Sequence, residues 1–164
     1  MTRKTFFSFH FKPDNWRVSQ VRNAGVLEGN PPVSDNDWEK ITGQGEDAIK
    51  RWIADQMSGR SCAVILVGTN TASRKWVNYE IDAAWRRGMG VVGVHIHGLK
   101  DSSGNQCDKG ANPFVGHLVG ATLMSSVVKL YDTPYQTSSY VYDHIKDNLA
   151  DWTDEACAIR AKFS

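Results

Sequence analysis

The 164-residue sequence has few cysteines, little excess of charge and no long apolar run. Its three cysteines, Cys62, Cys107 and Cys157, are far apart and form no C-x-x-C pair, so neither a disulfide framework nor a zinc site is expected. Nineteen Lys and Arg face 18 Asp and Glu, and this balance gives no reason to expect nucleic acid or an anionic membrane as a partner.

The N-terminus lacks the features of a signal peptide, and no segment approaches the ~18 apolar residues of a membrane span. We therefore expect a cytoplasmic protein. What the sequence does have is 41% hydrophobic residues and six tryptophans. A chain of this length can bury roughly two-thirds of its unfolded surface, so residues 1–164 are expected to form one globular domain.

Hydrophobic patterns predict alternating strands and helices. The alternating run 5–11 predicts a first strand that ends at Pro13-Asp14. The runs 62–67 and 90–97 are apolar on both faces, which is typical of strands buried in a parallel sheet. Residues 127–131 can form a last strand, whereas 30–37 reads as a loop in which Val33 alone hints at a second strand.

Helical spacing of apolar residues predicts four helices. The first follows a cap at Asp14 or Asn15 and ends near residues 25–29, and two more cover residues 46–57 and about 73–87. The last is one long amphipathic helix whose apolar stripe comprises Val141, Ile145, Leu149, Trp152, Ala156, Ile159 and Phe163. Strands alternating with helices indicate an α/β three-layer sandwich with a mostly parallel sheet flanked by helices.

Ligands of an open parallel sheet bind outside the carboxyl ends of its strands, and here three segments meet there: 8–14, 68–74 and the chain from His97 onward. The helix after the second segment carries Glu80 at the border of its apolar face, beside Trp76. Desolvation there would raise the pKa of Glu80 and suit it to catalysis. The alternative is an ordinary boundary residue that pairs in solvent with Arg74 or Arg87.

Other signals in the sequence are weaker evidence for a binding or catalytic site. Arg17 and Arg74 could meet phosphates or simply be solvated. His95 and His97 lie two apart, but no third ligand has matching spacing, so packing is the better reading and no metal is expected. The segments 43–45 and 68–75 match neither the dinucleotide fingerprint nor a P-loop.

Four segments in order carry a resemblance: FFSFHFKPDNWR, VILVGTNTASRKWVNYEIDAAWRRG, VVGVHIHGLKD and KGANPF. Together they resemble the bacterial TIR-like family and, more narrowly, the TIR-like sensor subunits of the Thoeris anti-phage defence system. The resemblance covers roughly residues 4 to 116. It implies a flavodoxin-like fold and, for the catalytic members, cleavage of the nicotinamide–ribose bond of NAD+.

Some members cyclise the ADP-ribose product into a signalling isomer of cyclic ADP-ribose, which activates a separate effector. The resemblance makes Glu80 the catalytic acid and Trp76 the helix-start tryptophan, which could stack on a planar ring or pack as a core aromatic. It places Ser8, Phe9 and His10 at the NAD+ pocket. Asn112, in the N-P-F loop, could close over the pocket or cap the sheet.

Two main readings follow. The first is an NAD+ glycohydrolase or ADP-ribosyl cyclase with NAD+ as substrate and no cofactor, activated by homo-oligomerisation after a phage protein triggers it. The second is a non-enzymatic TIR-like adaptor that binds a partner or a nucleotide without turnover. A base-exchange transferase on a related fold is a third possibility.

Overall fold

The computed structural model describes residues 2–163, apart from the side chains of residues 35 and 36. Seven strands occur in this part of the chain: β1 (Lys4–Phe9), β2 (Glu28–Gly29), β3 (Cys62–Val67), β4 (Gly90–His95), β5 (Leu118–Val119), β6 (Thr122–Leu123) and β7 (Leu130–Tyr131). Five of them form a parallel sheet in the order β2-β1-β3-β4-β7, and β5 and β6 form a separate antiparallel pair.

Helices cover both faces of the sheet. The helices are α1 (Phe11–Asn23), α2 (Asp35–Thr42), α3 (Glu46–Met57), α4 (Lys75–Arg86) and α5 (Ser138–Ala161). The helices α1 and α5 bury one face of the sheet, and α3 and α4 bury the other, with α2 against α3. The predicted three-layer α/β sandwich with a parallel sheet is therefore confirmed, and its strand order is the flavodoxin-like one.

The two apolar runs form the centre of the sheet as predicted. Every residue of β3 and β4 is buried, since each strand has helices on both faces. In α5 the predicted stripe is buried from Val141 to Ala156. Its last predicted member, Phe163, lies beyond the end of the helix, where its ring meets Trp85 edge-on at 5.6 Å.

The predicted boundary between the first strand and the first helix was wrong. β1 ends at Phe9, and α1 begins at Phe11 with His10 as its N-cap, not Asp14 or Asn15. Pro13 falls in the first turn of the helix, where an amide hydrogen would have no partner within the helix, so proline is tolerated there. The alternation of phenylalanines up to Phe11 therefore extended the predicted strand into the helix.

Short elements account for the other corrections. The second strand lies at Glu28–Gly29 and not at Val33, and α2 occupies residues that read as loop. Its cap is Ser34, whose Oγ accepts a hydrogen bond from the Asp37 amide at 3.1 Å. β4 ends two residues earlier than predicted, the last strand has two residues instead of five, and the β5–β6 hairpin was not predicted.

The strand order places a crevice between β1 and β3. The chain leaves β1 toward β2 on one side and returns as β3 on the other, so the connections diverge at the carboxyl ends of these two strands. Because β2 has two residues, it pairs with β1 at Lys4 and Thr5 and leaves the outer edge of the rest of β1 without a strand. In the described residues, no helix is both long and apolar enough to cross a bilayer.

Candidate active site

A cavity of about 350 Å³ opens at the carboxyl end of β1 and extends over the free edge of this strand. Its walls come from β1, α1, the chain after β2, α2, α3 and the start of α4. Apolar and aromatic residues dominate these walls, and cations lie among them. The residues discussed below are Phe9, His10, Phe11, Lys12, Arg22, Trp38, Trp52, Arg74, Lys75, Trp76 and Glu80.

Glu80 is buried at the inner side of this cavity. It is one of the buried residues of α4, and 8% of its surface is exposed. The Ser8 hydroxyl donates a hydrogen bond to Glu80 Oε1 at 2.7 Å. Burial raises the pKa of Glu80 to about 8, against the opposing effect of the Ser8 hydrogen bond. Glu80 makes no ion pair with any side chain that the structure describes, so the solvent-exposed alternative with Arg74 or Arg87 does not hold.

The end of β1 presents three predicted site residues in different ways. Phe9 and His10 line the cavity, whereas Ser8 lies beneath it, 1% exposed, against Glu80. Burial lowers the pKa of His10, and the nearby Arg74 lowers it further. His10 Nδ1 is shielded from solvent and has no hydrogen-bond partner among the described residues. The neutral ring is thus available to a ligand in the cavity.

Of the two remaining predicted site residues, Trp76 lines the cavity and Asn112 does not. Trp76 lines the cavity one helical turn before Glu80, with its ring edge-on to Tyr79 at 5.5 Å and the Lys75 ammonium 5.1 Å from its centroid. Asn112 does not line the cavity; its Oδ1 accepts a hydrogen bond from the Phe114 amide at 2.8 Å. Phe114 is fully buried in the core on the α4 side, so the N-P-F loop anchors against the sheet.

Three aromatic residues of the cavity were not predicted. Phe9, Phe11, Trp38 and Trp52 form a continuous row in which successive ring centroids are 6.0, 5.7 and 5.7 Å apart. Trp52 lies on α3 and also packs against the core, and Trp38 lies on the unpredicted α2. The capping signal of Ser34 before Asp37 could have revealed α2, but nothing local shows that its tryptophan reaches α1.

Positive charge surrounds the cavity. Lys12, Arg22, Arg74 and Lys75 are among the lining residues, and Glu80 is the single acidic residue among those described. Arg17, the other candidate for a phosphate, is buried instead and lies outside the lining. Its guanidinium donates to the carbonyls of Leu99 and Asn105 and pairs with Asp14 at 3.1 Å. It holds the 98–106 loop and has no free face for a ligand.

The cavity therefore combines aromatic faces, cations and one buried acid. Aromatic faces take planar rings, cations take phosphates, and a buried carboxyl group can stabilise a positive charge that develops in a dry site. His95 and His97, at the end of β4, pack edge-on, with their ring centroids 5.5 Å apart. Among the described residues no group of three or more His, Cys, Asp or Glu side chains is arranged to hold a metal ion.

Comparison with known proteins agrees with this arrangement. The chain matches the family model described as Thoeris protein ThsB, TIR-like domain, over residues 6–101, which include the last four residues of β1, all of α4 and every cavity residue named above. It is 35% identical to the Bacillus cereus (strain MSX-D12) protein named "Putative cyclic ADP-D-ribose synthase ThsB1" over 119 residues. This alignment spans 70% of the present chain and 62% of that relative's length. The chain therefore belongs to the Thoeris ThsB TIR-like domain family.

Proposed function

We propose that the protein cleaves the nicotinamide–ribose bond of NAD+ and cyclises the resulting ADP-ribose into a cyclic ADP-ribose-type messenger for anti-phage defence. The observation that supports this most directly is Glu80, a buried acid within a cavity whose other charged lining residues are cations. The name of the Bacillus cereus relative points to the same product class.

The bond cleavage requires stabilisation of positive charge on the ribose. The C1′–N bond breaks, its electron pair leaves with nicotinamide, and the ribose becomes an oxocarbenium-like cation. A carboxylate beside the ribose stabilises this cation and can hold a ribose hydroxyl. Glu80 takes this role, because it is the single carboxyl group among the described lining residues.

The raised pKa of Glu80 fits a cationic substrate. With a pKa of about 8, the empty site holds mostly protonated Glu80 at neutral pH. The pyridinium ring of NAD+ brings a positive charge next to this group, and a nearby cation lowers the pKa of a carboxyl group. Substrate binding thus favours the ionised form of Glu80 at the step that needs its charge. The positive charge of the substrate also offsets the desolvation cost of the buried carboxylate.

The outcome after cleavage depends on the nucleophile. Water gives ADP-ribose, whereas a nucleophilic atom within the bound ADP-ribose gives a cyclic product, and in either case the captured nucleophile loses a proton. The aromatic row from Phe9 to Trp52 limits water on one side of the cavity and offers faces on which the adenine can stack. These features favour internal capture.

The test uses the purified protein with NAD+, alone and with lysate of phage-infected cells, because activity is expected to require a phage trigger and assembly of several copies. Nicotinamide and a cyclic product are measured by liquid chromatography and mass spectrometry. We expect Glu80→Gln to lower turnover at least about 100-fold, the scale on which such charge stabilisation acts. Asp55→Asn, at an exposed position on α3, removes the same charge and should retain turnover.

The competing reading is a non-enzymatic adaptor. If wild type and Glu80→Gln give the same product levels in lysate and the same plaque counts, catalysis by Glu80 is refuted. Retained phage protection by Glu80→Gln, together with loss of protection on changing the exposed side of α5, would establish the adaptor instead.

A further inference from the structure

Arg22 is a second unusual charge in the same cavity. It lies in the last turn of α1 and is half-buried, with its guanidinium carbon 5.1 Å from the centroid of the Phe7 ring. Its Nη1 donates to the Asn30 carbonyl. The backbone of Gly29 passes so close that a Cβ there would lie 3.1 Å from Nη1 and 2.4 Å from the Phe7 ring. The glycine thus allows the guanidinium to reach the cavity wall.

Among the side chains that the structure describes, no carboxylate pairs with Arg22. None of the ion pairs between described side chains includes it, and its one hydrogen bond there goes to a neutral carbonyl group. Burial and the like charge of Arg60 lower the pKa of Arg22 to about 10, so the group stays cationic at neutral pH. A guanidinium that lines a cavity and has donors free of protein partners among the described residues can bind an anion there through charge-assisted hydrogen bonds.

Arg22 and Glu80 line the same cavity from opposite sides of the sheet edge. Phe6 packs toward α3 and α4 and Phe7 toward α1 and α5, yet both line the cavity. The cavity therefore passes from one face of the sheet to the other across the edge of β1 that β2 leaves open. Glu80 lies on the α4 side of this edge and Arg22 on the α1 side.

We infer that Arg22 binds the diphosphate of the substrate across the open edge of β1, so that the cavity selects a dinucleotide over a nucleoside. A ligand that places its reacting ribose at Glu80 must extend around this edge to reach Arg22, and a planar guanidinium binds diphosphate oxygens through two hydrogen bonds. The inference rests on the proposed function for the identity of the dinucleotide. It assigns Arg22 a specificity role apart from the bond cleavage at Glu80.

The test measures ADP-ribose binding by calorimetry to wild type, Arg22→Met and Arg22→Lys. We expect Arg22→Met to weaken binding about 10- to 100-fold, the loss typical of a charge-assisted hydrogen bond, and Arg22→Lys to lie between. Arg60→Met, next to Arg22 but outside the lining, is the matched control and should bind like wild type. Nicotinamide riboside, which has no phosphate, should bind wild type and Arg22→Met equally.

Several outcomes would overturn the inference. They are wild-type affinity for ADP-ribose in Arg22→Met, equal losses for ADP-ribose and nicotinamide riboside, or no binding of ADP-ribose to wild type. Melting temperatures show whether Arg22→Met folds. If it does not fold, Arg22→Lys decides: an affinity for ADP-ribose equal to that of wild type overturns the bidentate contact. NAD+ turnover in lysate is measured separately. If ADP-ribose binding depends on Arg22 but NAD+ is not turned over, only the proposed function is refuted. If NAD+ is turned over but binding does not depend on Arg22, only this inference is refuted.

Discussion

The Ser8 hydroxyl donates a hydrogen bond to Glu80 Oε1 at 2.7 Å, joining two residues that are 72 positions apart in the chain. The bond connects the floor of the cavity, β1, directly to the helix that carries the acid, α4. Because this bond stabilises the ionised form of Glu80, it opposes the effect of burial on the same group. We therefore expect Ser8 to act through Glu80, as a positioning residue.

Replacing Ser8 by alanine should shift the pH dependence of turnover. The proposed function requires the carboxylate form of Glu80, so kcat/KM of wild type should rise with pH toward a plateau above about 8. Ser8→Ala removes the bond that lowers this pKa, so the profile should move to higher pH, and each added unit lowers the ionised fraction at pH 7 about tenfold. Ser102→Ala, in an exposed loop, is the control. A Ser8→Ala profile with the midpoint of wild type would contradict the positioning role.

Glu80 should make the fold less stable at alkaline pH. The pKa of Glu80 is about 8 in the folded protein and near the ordinary value of 4.5 when unfolded, so between these values the folded state binds more protons. The free energy of unfolding contributed by this group therefore falls as pH rises through 4.5 to 8.

Glu80→Gln stays neutral and should be more stable than wild type at pH 9, by up to about 4 kcal/mol, with little difference at pH 4. Urea unfolding at the two pH values measures this directly. Asp55→Asn should follow wild type at both. A Glu80→Gln curve that runs parallel to wild type across this range would show that Glu80 is ionised at its ordinary pKa.

The aromatic row should contribute to ligand affinity. Trp38 lies between Phe11 and Trp52, and leucine would keep part of the apolar volume but remove the ring face. We expect Trp38→Leu to weaken ADP-ribose binding about tenfold, since stacking of a base on an aromatic ring contributes about 1 to 3 kcal/mol. Trp16→Leu, 56% exposed and outside the cavity lining, is the comparison. Equal affinities of the two variants would mean that the bases do not stack on this row.

Arg17 should matter for stability and not for phosphate binding. Arg17→Met leaves Asp14 buried without its partner and frees the carbonyls of Leu99 and Asn105, which should lower the free energy of unfolding by about 3 to 5 kcal/mol. Exchanging Asp14 for leucine as well should restore part of the loss, because the uncompensated charge disappears. Chemical denaturation of the single and double variants decides this, and weakened ADP-ribose binding by a folded Arg17→Met would return Arg17 to the ligand site.

The cysteines should differ in reactivity. A hydrogen bond from Cys62 and the nearby Arg3 lower the pKa of the Cys157 thiol, whereas that of Cys62 is raised. Both Cys157 and Cys107 are half-buried, so iodoacetamide at pH 7 should alkylate Cys157 first, as followed by peptide mass spectrometry. Cys62→Ala removes the donor and should slow this reaction. Faster alkylation of Cys107 would contradict the assigned thiolate.

The central layers of the fold were predictable because their patterns are long. The strands β3 and β4 are continuous apolar runs, and α3, α4 and α5 repeat their apolar residues at helical spacing over 12 residues or more. The segment between α1 and α3 was read poorly, since a strand of two residues and a helix of eight offer too few positions for any period. The position of Pro13 led to a wrong helix start, because proline breaks a strand or a helix interior but is tolerated in the first turn of a helix.

The candidate site shows the same contrast between residues that local spacing predicts and residues that it does not. Glu80 and Trp76 could be found because they lie four apart on one helix and flank its apolar stripe. The orientation of Ser8 toward Glu80, and the approach of Trp38 to Phe11, depend on how separate elements pack, which no local spacing encodes. Asn112 came from the resemblance, and the structure places it at the base of the Phe114 loop outside the cavity.

The brevity of β2 has a consequence for the local stability of the outer edge of β1. Beyond Thr5, the amide of Phe7 on the outer edge of β1 is held by the side chain of Asn30, where a longer strand would have supplied a ladder. Local opening of this edge costs little compared with the central strands, so its amides should be among the first of the sheet to exchange with deuterium. A ligand lying along this edge would take the place of the missing strand.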